Sequence, residues 1–146
     1  REVRSAVLLG LGGGEMLRQV RVGHPAALLF GVEIDPTTAH LARTVFEVPA
    51  AVIEADAILW VDTPPAGSFS VVMVDLYDDS QLVPAAARLT FLAGCYRLLP
   101  PGGLFMMNVW PANRADEIER VLRRLYSRVE RRSYGPNVVL FAERSP

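Results

Sequence analysis

The chain has 146 residues, of which 51% are hydrophobic and 21% charged, and its formal net charge is -1. This length and composition predict one soluble domain that is long enough to bury a real core, and they leave no room for a second domain. The small net charge predicts neither a nucleic-acid nor a membrane partner, and the sequence contains neither a signal peptide nor an 18-residue apolar span.

Predicted strands and helices alternate along the chain. The predicted strands are residues 6–11, 28–34, 51–54, 70–76, 104–110, 129–133 and 138–143. The predicted helices begin at residues 14 and 36 or span residues 83–99 and 115–127, with a short turn at 58–61. Near-continuous apolar strands between helices indicate an α/β fold, with a mostly parallel seven-stranded sheet covered by helices on both faces. The last two strands, joined by Gly135-Pro136-Asn137, should pair antiparallel at one edge.

A glycine-rich turn joins the first strand to the first helix. Gly10, Gly12 and Gly14 follow an apolar run, and apolar residues then recur at helical spacing. Glycine lets a ligand lie against the backbone and adopts positive φ at little cost. The N–H groups of a helix start would point toward such a ligand. Alone, this loop is weak evidence, because a turn without a ligand has the same composition.

Three acids stand at or just after the carboxyl ends of predicted strands. They are Glu33, Asp56 and Asp75, and open α/β sheets bind ligands at this edge. Clustered carboxylates repel phosphates but suit a ligand that carries a sulfonium and an ammonium. Asp35 lies before Pro36, where we favour a helix cap over a ligand group.

The glycines spell G-x-G-x-G, and at this point the sequence resembles the spermidine synthase (polyamine aminopropyltransferase) family of the class I S-adenosylmethionine-dependent methyltransferase superfamily. Residues 10–20 align without gaps with that family's G-G-G-D-G-G-x-L-R-E-V, and Val32-Glu-Ile-Asp35 is similar to its V-E-I-D. The resemblance extends over nearly the whole chain. It implies a Rossmann-like methyltransferase fold with S-adenosylmethionine or its decarboxylated form as cofactor. We expect no metal, because neither His24 nor His40 has metal-ligand spacing.

The resemblance also implies how the cofactor is held. Gly10, Gly12 and Gly14 would lie along it, Glu33 would bind the ribose hydroxyls, and Asp56 beside Ala57 would receive the adenine amino group. The alternatives are a surface acid for Glu33 and a helix cap for Asp56. The family's loop aspartate is Gly13 here, and Glu15 replaces a glycine. We expect Glu15 to supply the missing carboxylate to the cofactor.

In the family, D-x-x-D after the fourth strand holds and deprotonates the acceptor amine. Asp75 and Asp78 match these two acids and are the predicted catalytic residues. Tyr77, Asp78 and Asn108 are the predicted substrate-binding residues, with Asn108 only loosely matching a family glutamine. Asp79 replaces the family's proline, and a solvated loop position is an equal alternative for Asp78 and Asp79.

The family's small N-terminal β-domain has no counterpart here. We therefore expect a single domain over residues 1–146 that lacks an N-terminal segment. The predicted activity is aminopropyl transfer to a small-molecule amine, in the cytoplasm, with a homodimer as a candidate assembly. A methyltransferase of unknown substrate and an inactive cofactor-binding module are the alternatives.

Three further features have simpler interpretations than a role in catalysis. Cys95 is interpreted as core rather than as a nucleophile. The arginines near the C-terminus are interpreted as a solvated face rather than a nucleic-acid patch. For Trp60 and Trp110 we favour core or rim packing over pocket walls.

Overall fold

A computed structural model describes residues 2–146 of the chain. Its strands are β1 Ser5–Leu9, β2 Leu28–Glu33, β3 Ala51–Glu54, β4 Val71–Val74, β5 Tyr77–Asp78, β6 Gln81–Leu82, β7 Leu104–Val109, β8 Arg128–Tyr134 and β9 Asn137–Glu143. Its α-helices are α1 Glu15–Gly23, α2 Pro36–Thr44, α3 Ala57–Trp60, α4 Leu89–Leu98 and α5 Ala115–Leu125. Short 3-10 helices span Pro84–Ala87 and Ala112–Arg114.

Seven strands form one sheet in the order β3-β2-β1-β4-β7-β9-β8. The first five are parallel, and β9 runs antiparallel to both β7 and β8. The predicted α/β fold, its mostly parallel sheet and the antiparallel pairing at one edge are confirmed. Chain order reverses direction between β1 and β4, so the loops after these strands separate and leave a crevice there.

The sheet has an apolar core on each face, because alternate strand residues point to opposite sides. On β1, Val7 and Leu9 join the larger core under α4 and α5, whereas Ala6 and Leu8 join the smaller core under α1. Cys95 is fully buried in the larger core, and this burial raises the pKa of its thiol. The interpretation of Cys95 as a core residue is confirmed.

The predicted long helix over residues 83–99 is wrong in its first part. Residues Pro84–Ala87 form a 3-10 helix, and Arg88 is extended with ψ 144° before α4 begins at Leu89. Pro84 suits the first position of a helix, but the extended Arg88 interrupts the hydrogen-bond ladder. Just upstream, β5 and β6 form a small hairpin over the sheet edge, which the apolar periodicity did not indicate.

Two aspartates cap helices. Asp35 Oδ1 accepts hydrogen bonds from the N–H groups of Thr37 and Thr38 at 2.7 and 2.9 Å, so the predicted cap of α2 is confirmed. Asp56 Oδ1 accepts the Ile58 N–H at 2.9 Å at the start of α3. None of the helices within residues 2–146 is long and apolar enough to cross a membrane.

Candidate active site

The glycine-rich turn lies directly against the end of β4. Gly10 has φ +88° and donates its N–H to the Val32 carbonyl at 2.9 Å. A Cβ at Gly10 would stand 2.2 Å from the Asp75 carbonyl oxygen, whereas a Cβ at Gly12 or Gly13 would meet no atom within 4 Å. Gly10 is therefore required by close packing, and the tip of the turn is open to a ligand.

Glu33 ties this turn to the end of β2. One carboxylate oxygen accepts the Gly12 N–H at 3.1 Å, and the other accepts the Asp35 N–H at 3.1 Å. Because each carboxylate oxygen has two lone pairs, both retain acceptor capacity toward a ligand. Glu33 thus orders the turn and presents a charged acceptor above it.

A cleft of about 730 Å³ opens at the carboxyl ends of β1, β2, β3 and β4. Its size is in the range of small-molecule sites. Its lining residues come from six segments of the chain: Gly10, Gly12, Val32, Glu33, Ile34, Thr38, Asp56, Ala57, Ile58, Asp75, Leu76, Tyr77, Asp78, Val83 and Ala85. We call this space the large cleft.

A second cavity of about 340 Å³ adjoins the large cleft and shares Asp75 and Tyr77 with it. It is lined by Asp75, Tyr77, Asp79, Ser80, Asn108, Trp110 and Asn137. We call it the small cavity. Neither set of lining residues includes a basic side chain, although together they include five acids. Such surroundings favour cationic ligands.

Asp75 stands where the two cavities meet, and its carboxylate is held by an amide. Asn108 donates from Nδ2 to Asp75 Oδ1 at 3.0 Å, and Asn137 donates from Nδ2 to Asn108 Oδ1 at 3.0 Å. Burial raises the pKa of the Asp75 carboxyl above its usual value, and the hydrogen bond from Asn108 offsets part of that rise. A carboxylate made more basic in this way is suited to accept a proton.

Tyr77 lies on the same shared wall. Its hydroxyl donates to the Asn108 backbone oxygen at 3.1 Å. Burial raises the pKa of Tyr77 to about 12, and the nearby charge of Asp75 adds to the rise. Tyr77 therefore stays neutral at physiological pH and serves as a hydrogen-bond donor and an apolar wall.

The structure brings together most of the predicted site residues, but not all of them. Gly14 caps α1 and packs on Val48, outside both cavities. Glu15 is also outside them, because its carboxylate accepts from Gln19 at 2.7 Å and lies 3.6 Å from Arg18. Its predicted contact with the cofactor is therefore not supported by the position of its side chain.

The two tryptophans lie in different parts of the structure. Trp60 packs on Phe69, with ring centroids 6.1 Å apart, and lines neither cavity. Trp110 lines the small cavity, as does Asn137, which the sequence marks only as part of a turn. A turn signal carries no information about which distant strand end the turn approaches, so no sequence pattern could have found Asn137.

The chain matches no family model. It is 33% identical over 128 residues to the polyamine aminopropyltransferase of Chromobacterium violaceum, a match covering 83% of this chain and 49% of that relative. This chain thus spans about half the length of that relative.

Solved structures share the fold at lower identity. A probable spermidine synthase from Corynebacterium glutamicum superposes with a TM-score of 0.86 at 22% identity, covering 96% of this chain and 56% of that one. Human methyltransferase-like protein 13, solved in complex with SAH, superposes with a TM-score of 0.82 at 23% identity, covering 100% of this chain and 73% of that one.

Proposed function

Because the chain has the class I S-adenosylmethionine-dependent methyltransferase fold in its spermidine-synthase-like form, we propose that it transfers an aminopropyl group to an amine. The donor would be decarboxylated S-adenosylmethionine, held in the large cleft. S-adenosylmethionine is the alternative ligand of that cleft. The acceptor amine would enter the small cavity.

One observation carries this proposal: Asp75 lies on the wall shared by the two cavities. A donor in the large cleft and an acceptor in the small cavity would meet beside its carboxylate. Transfer requires the acceptor nitrogen to attack the carbon next to the sulfonium, which forms a C–N bond and breaks the C–S bond. The nitrogen must also lose a proton, and Asp75 is positioned to take it.

The other residues bind and orient the two ligands. Glu33 accepts from the ribose hydroxyls with the lone pairs that its backbone contacts leave unused. Asp56 has one oxygen engaged in capping, and its other oxygen is proposed to accept the adenine amino group beside Ala57. Asp78 and Asp79 at the mouth attract the cationic acceptor, because like charges on the protein wall strengthen the local potential. A cytoplasmic location and a homodimer stay predictions.

The test is a product assay on the natural protein at its full length, with a diamine acceptor and either form of the donor. We expect methylthioadenosine and an aminopropylated amine from the decarboxylated donor. Asp75→Asn should retain donor affinity by calorimetry and lower turnover by about 10²–10⁴-fold, the usual range for loss of a general base.

Asp62→Asn serves as the matched control, since Asp62 lines neither cavity. Its turnover should equal that of the unmodified protein. Methyl transfer from S-adenosylmethionine, with no aminopropyl product, would replace this proposal with the methyltransferase alternative. Donor binding without any product would favour the binding module.

A further inference from the structure

Asn137 reaches the candidate active site from the antiparallel part of the sheet. It is the first residue of β9, pairs with Tyr134 of β8 across the hairpin turn, and lies two strands away from β4 in the sheet order. Its side chain nevertheless contacts Asn108, whose own amide contacts Asp75. The hairpin and the proposed proton acceptor are therefore linked by two consecutive hydrogen bonds of 3.0 Å each.

Each hydrogen bond from Asn137 through Asn108 to Asp75 runs in the same direction, from an amide NH₂ to an oxygen. An asparagine amide has one oxygen that accepts and one NH₂ that donates. Turning the Asn108 amide by half a rotation would place its NH₂ against the NH₂ of Asn137 and its oxygen against the Asp75 carboxylate. With Asn137 in its observed orientation both new contacts would be repulsive, so the Asp75 carboxylate and the Asn137 NH₂ together favour the observed orientation of Asn108.

Among residues 2–146, Asn108 is the side chain that donates a hydrogen bond to the Asp75 carboxylate. The titratable groups that line the two cavities with it are Tyr77 and Asp78 on β5, Asp79 in the hairpin turn, Asp56 before α3 and Glu33 on β2. Four of these are acids, and the Tyr77 hydroxyl donates to a backbone oxygen instead. The donors Ser80 and Trp110 also line the small cavity, but the observed side-chain bond to Asp75 comes from the Asn108 amide.

We propose that Asn137 is a positioning residue that holds the Asn108 amide with its NH₂ toward Asp75. In this orientation the amide donates to the carboxylate, which favours the ionised form of Asp75 on the wall shared by the two cavities. This inference rests on the proposed function for its catalytic meaning, but the positioning itself is a property of the protein without ligand.

Asn137→Leu tests the proposal, because leucine has a similar size and no donor. The carboxyl carbon of Asp75, observed by ¹³C NMR in the natural full-length protein and assigned with Asp75→Asn, reports its titration directly. We expect the pKa of Asp75 to rise by about one unit, as a charge-assisted hydrogen bond weakens. Ser133→Ala, an exposed change in the same hairpin, should leave it unchanged.

A double-mutant cycle separates positioning from a general effect of the hairpin. In an Asn108→Leu background, Asn137→Leu should produce no further change in the Asp75 titration. Asn137→Asp provides a second variant that preserves shape: its carboxylate can only accept and competes with Asp75 for the Asn108 NH₂, and its charge adds to the effect, so the rise should exceed that of the leucine variant. A rise below about 0.2 unit for the uncharged Asn137→Leu variant, or an equal rise in the Asn108→Leu background, overturns the proposal.

Activity gives an independent measurement. If the protein transfers the aminopropyl group, the acidic limb of kcat/KM in Asn137→Leu should move upward by the same amount as the NMR titration. A protein that transfers nothing refutes the proposed function, whereas the NMR titration still decides the role of Asn137. The two failures are therefore distinguishable.

Discussion

At the scale of single residues, Glu33 performs two tasks with one carboxylate. It accepts the N–H groups of Gly12 and Asp35, and under the proposed function it also accepts the ribose hydroxyls. Glu33→Ala should weaken binding of S-adenosylmethionine or its decarboxylated form by about 1.5–3 kcal/mol, the range for hydrogen bonds to a charged group. Calorimetry should record this as a roughly 10- to 150-fold increase in Kd.

Glu54→Ala is the matched control for this change. Glu54 stands opposite Glu33 in the β2–β3 register, but it pairs with Arg43 and does not line the large cleft. Its replacement should leave the affinity unchanged. Equal affinity of the Glu33→Ala variant and the unmodified protein would show that Glu33 only orders the turn.

At the scale of structural elements, the turn after β1 can approach β4 only if one position lacks a side chain. Gly10→Ala places a Cβ 2.2 Å from the Asp75 carbonyl oxygen and imposes a positive φ on alanine. The turn must move or strain, so we expect a loss of stability of about 2 kcal/mol or more, measured by urea unfolding. Donor binding should be lost as well, because the turn forms the floor of the large cleft.

Gly13→Ala tests the same turn without the clash. Gly13 has no positive φ, and its Cβ would meet no protein atom within 4 Å. The free energy of unfolding of the Gly13→Ala variant should remain within about 0.5 kcal/mol of that of the unmodified protein, as is usual for a surface change. If the two variants are equally stable, the packing of the turn on β4 does not require glycine.

At the scale of the whole molecule, the half-buried Asp75 carboxyl makes the stability of the protein depend on pH. The pKa of Asp75 is raised in the folded state, mainly by burial. The folded protein therefore binds the Asp75 proton more tightly than the unfolded chain does. The resulting stabilisation is fully present below the unfolded value of 3.8 and is lost as pH rises through the folded pKa. Asp75→Asn carries no such charge and can still accept from Asn108.

The Tm of Asp75→Asn relative to the unmodified protein should therefore increase from about pH 4 to about pH 7. Calorimetric scans across that range measure the difference, and Asp62→Asn controls for the loss of one negative charge. A Tm difference that does not change with pH would contradict a cost of ionising Asp75. We therefore expect the folded protein to retain a destabilising charge at the position where the proposed reaction needs a base.

The sequence alone determined that the chain forms a sheet, that most of its strands run parallel, and that the acids lie at the carboxyl ends of the strands. Apolar periodicity and strand-end position depend on neighbouring residues, so Glu33, Asp56 and Asp75 were predictable at the mouth of the cleft. The cap at Asp35 was predictable for the same reason, because a cap is a contact within one turn.

Only the tertiary structure decided how distant segments meet at that mouth. The break at Arg88, the β5–β6 hairpin over the sheet edge and the position of Glu15 outside the cleft depend on packing between elements. The contact of Asn137 with Asn108 joins residues 29 apart in sequence. It exists because β9 pairs antiparallel with β7 and places the start of one strand beside the end of the other. Local sequence patterns do not predict the pairing of β7 with β9. The hydrogen bonds around Asp75 depend on that pairing.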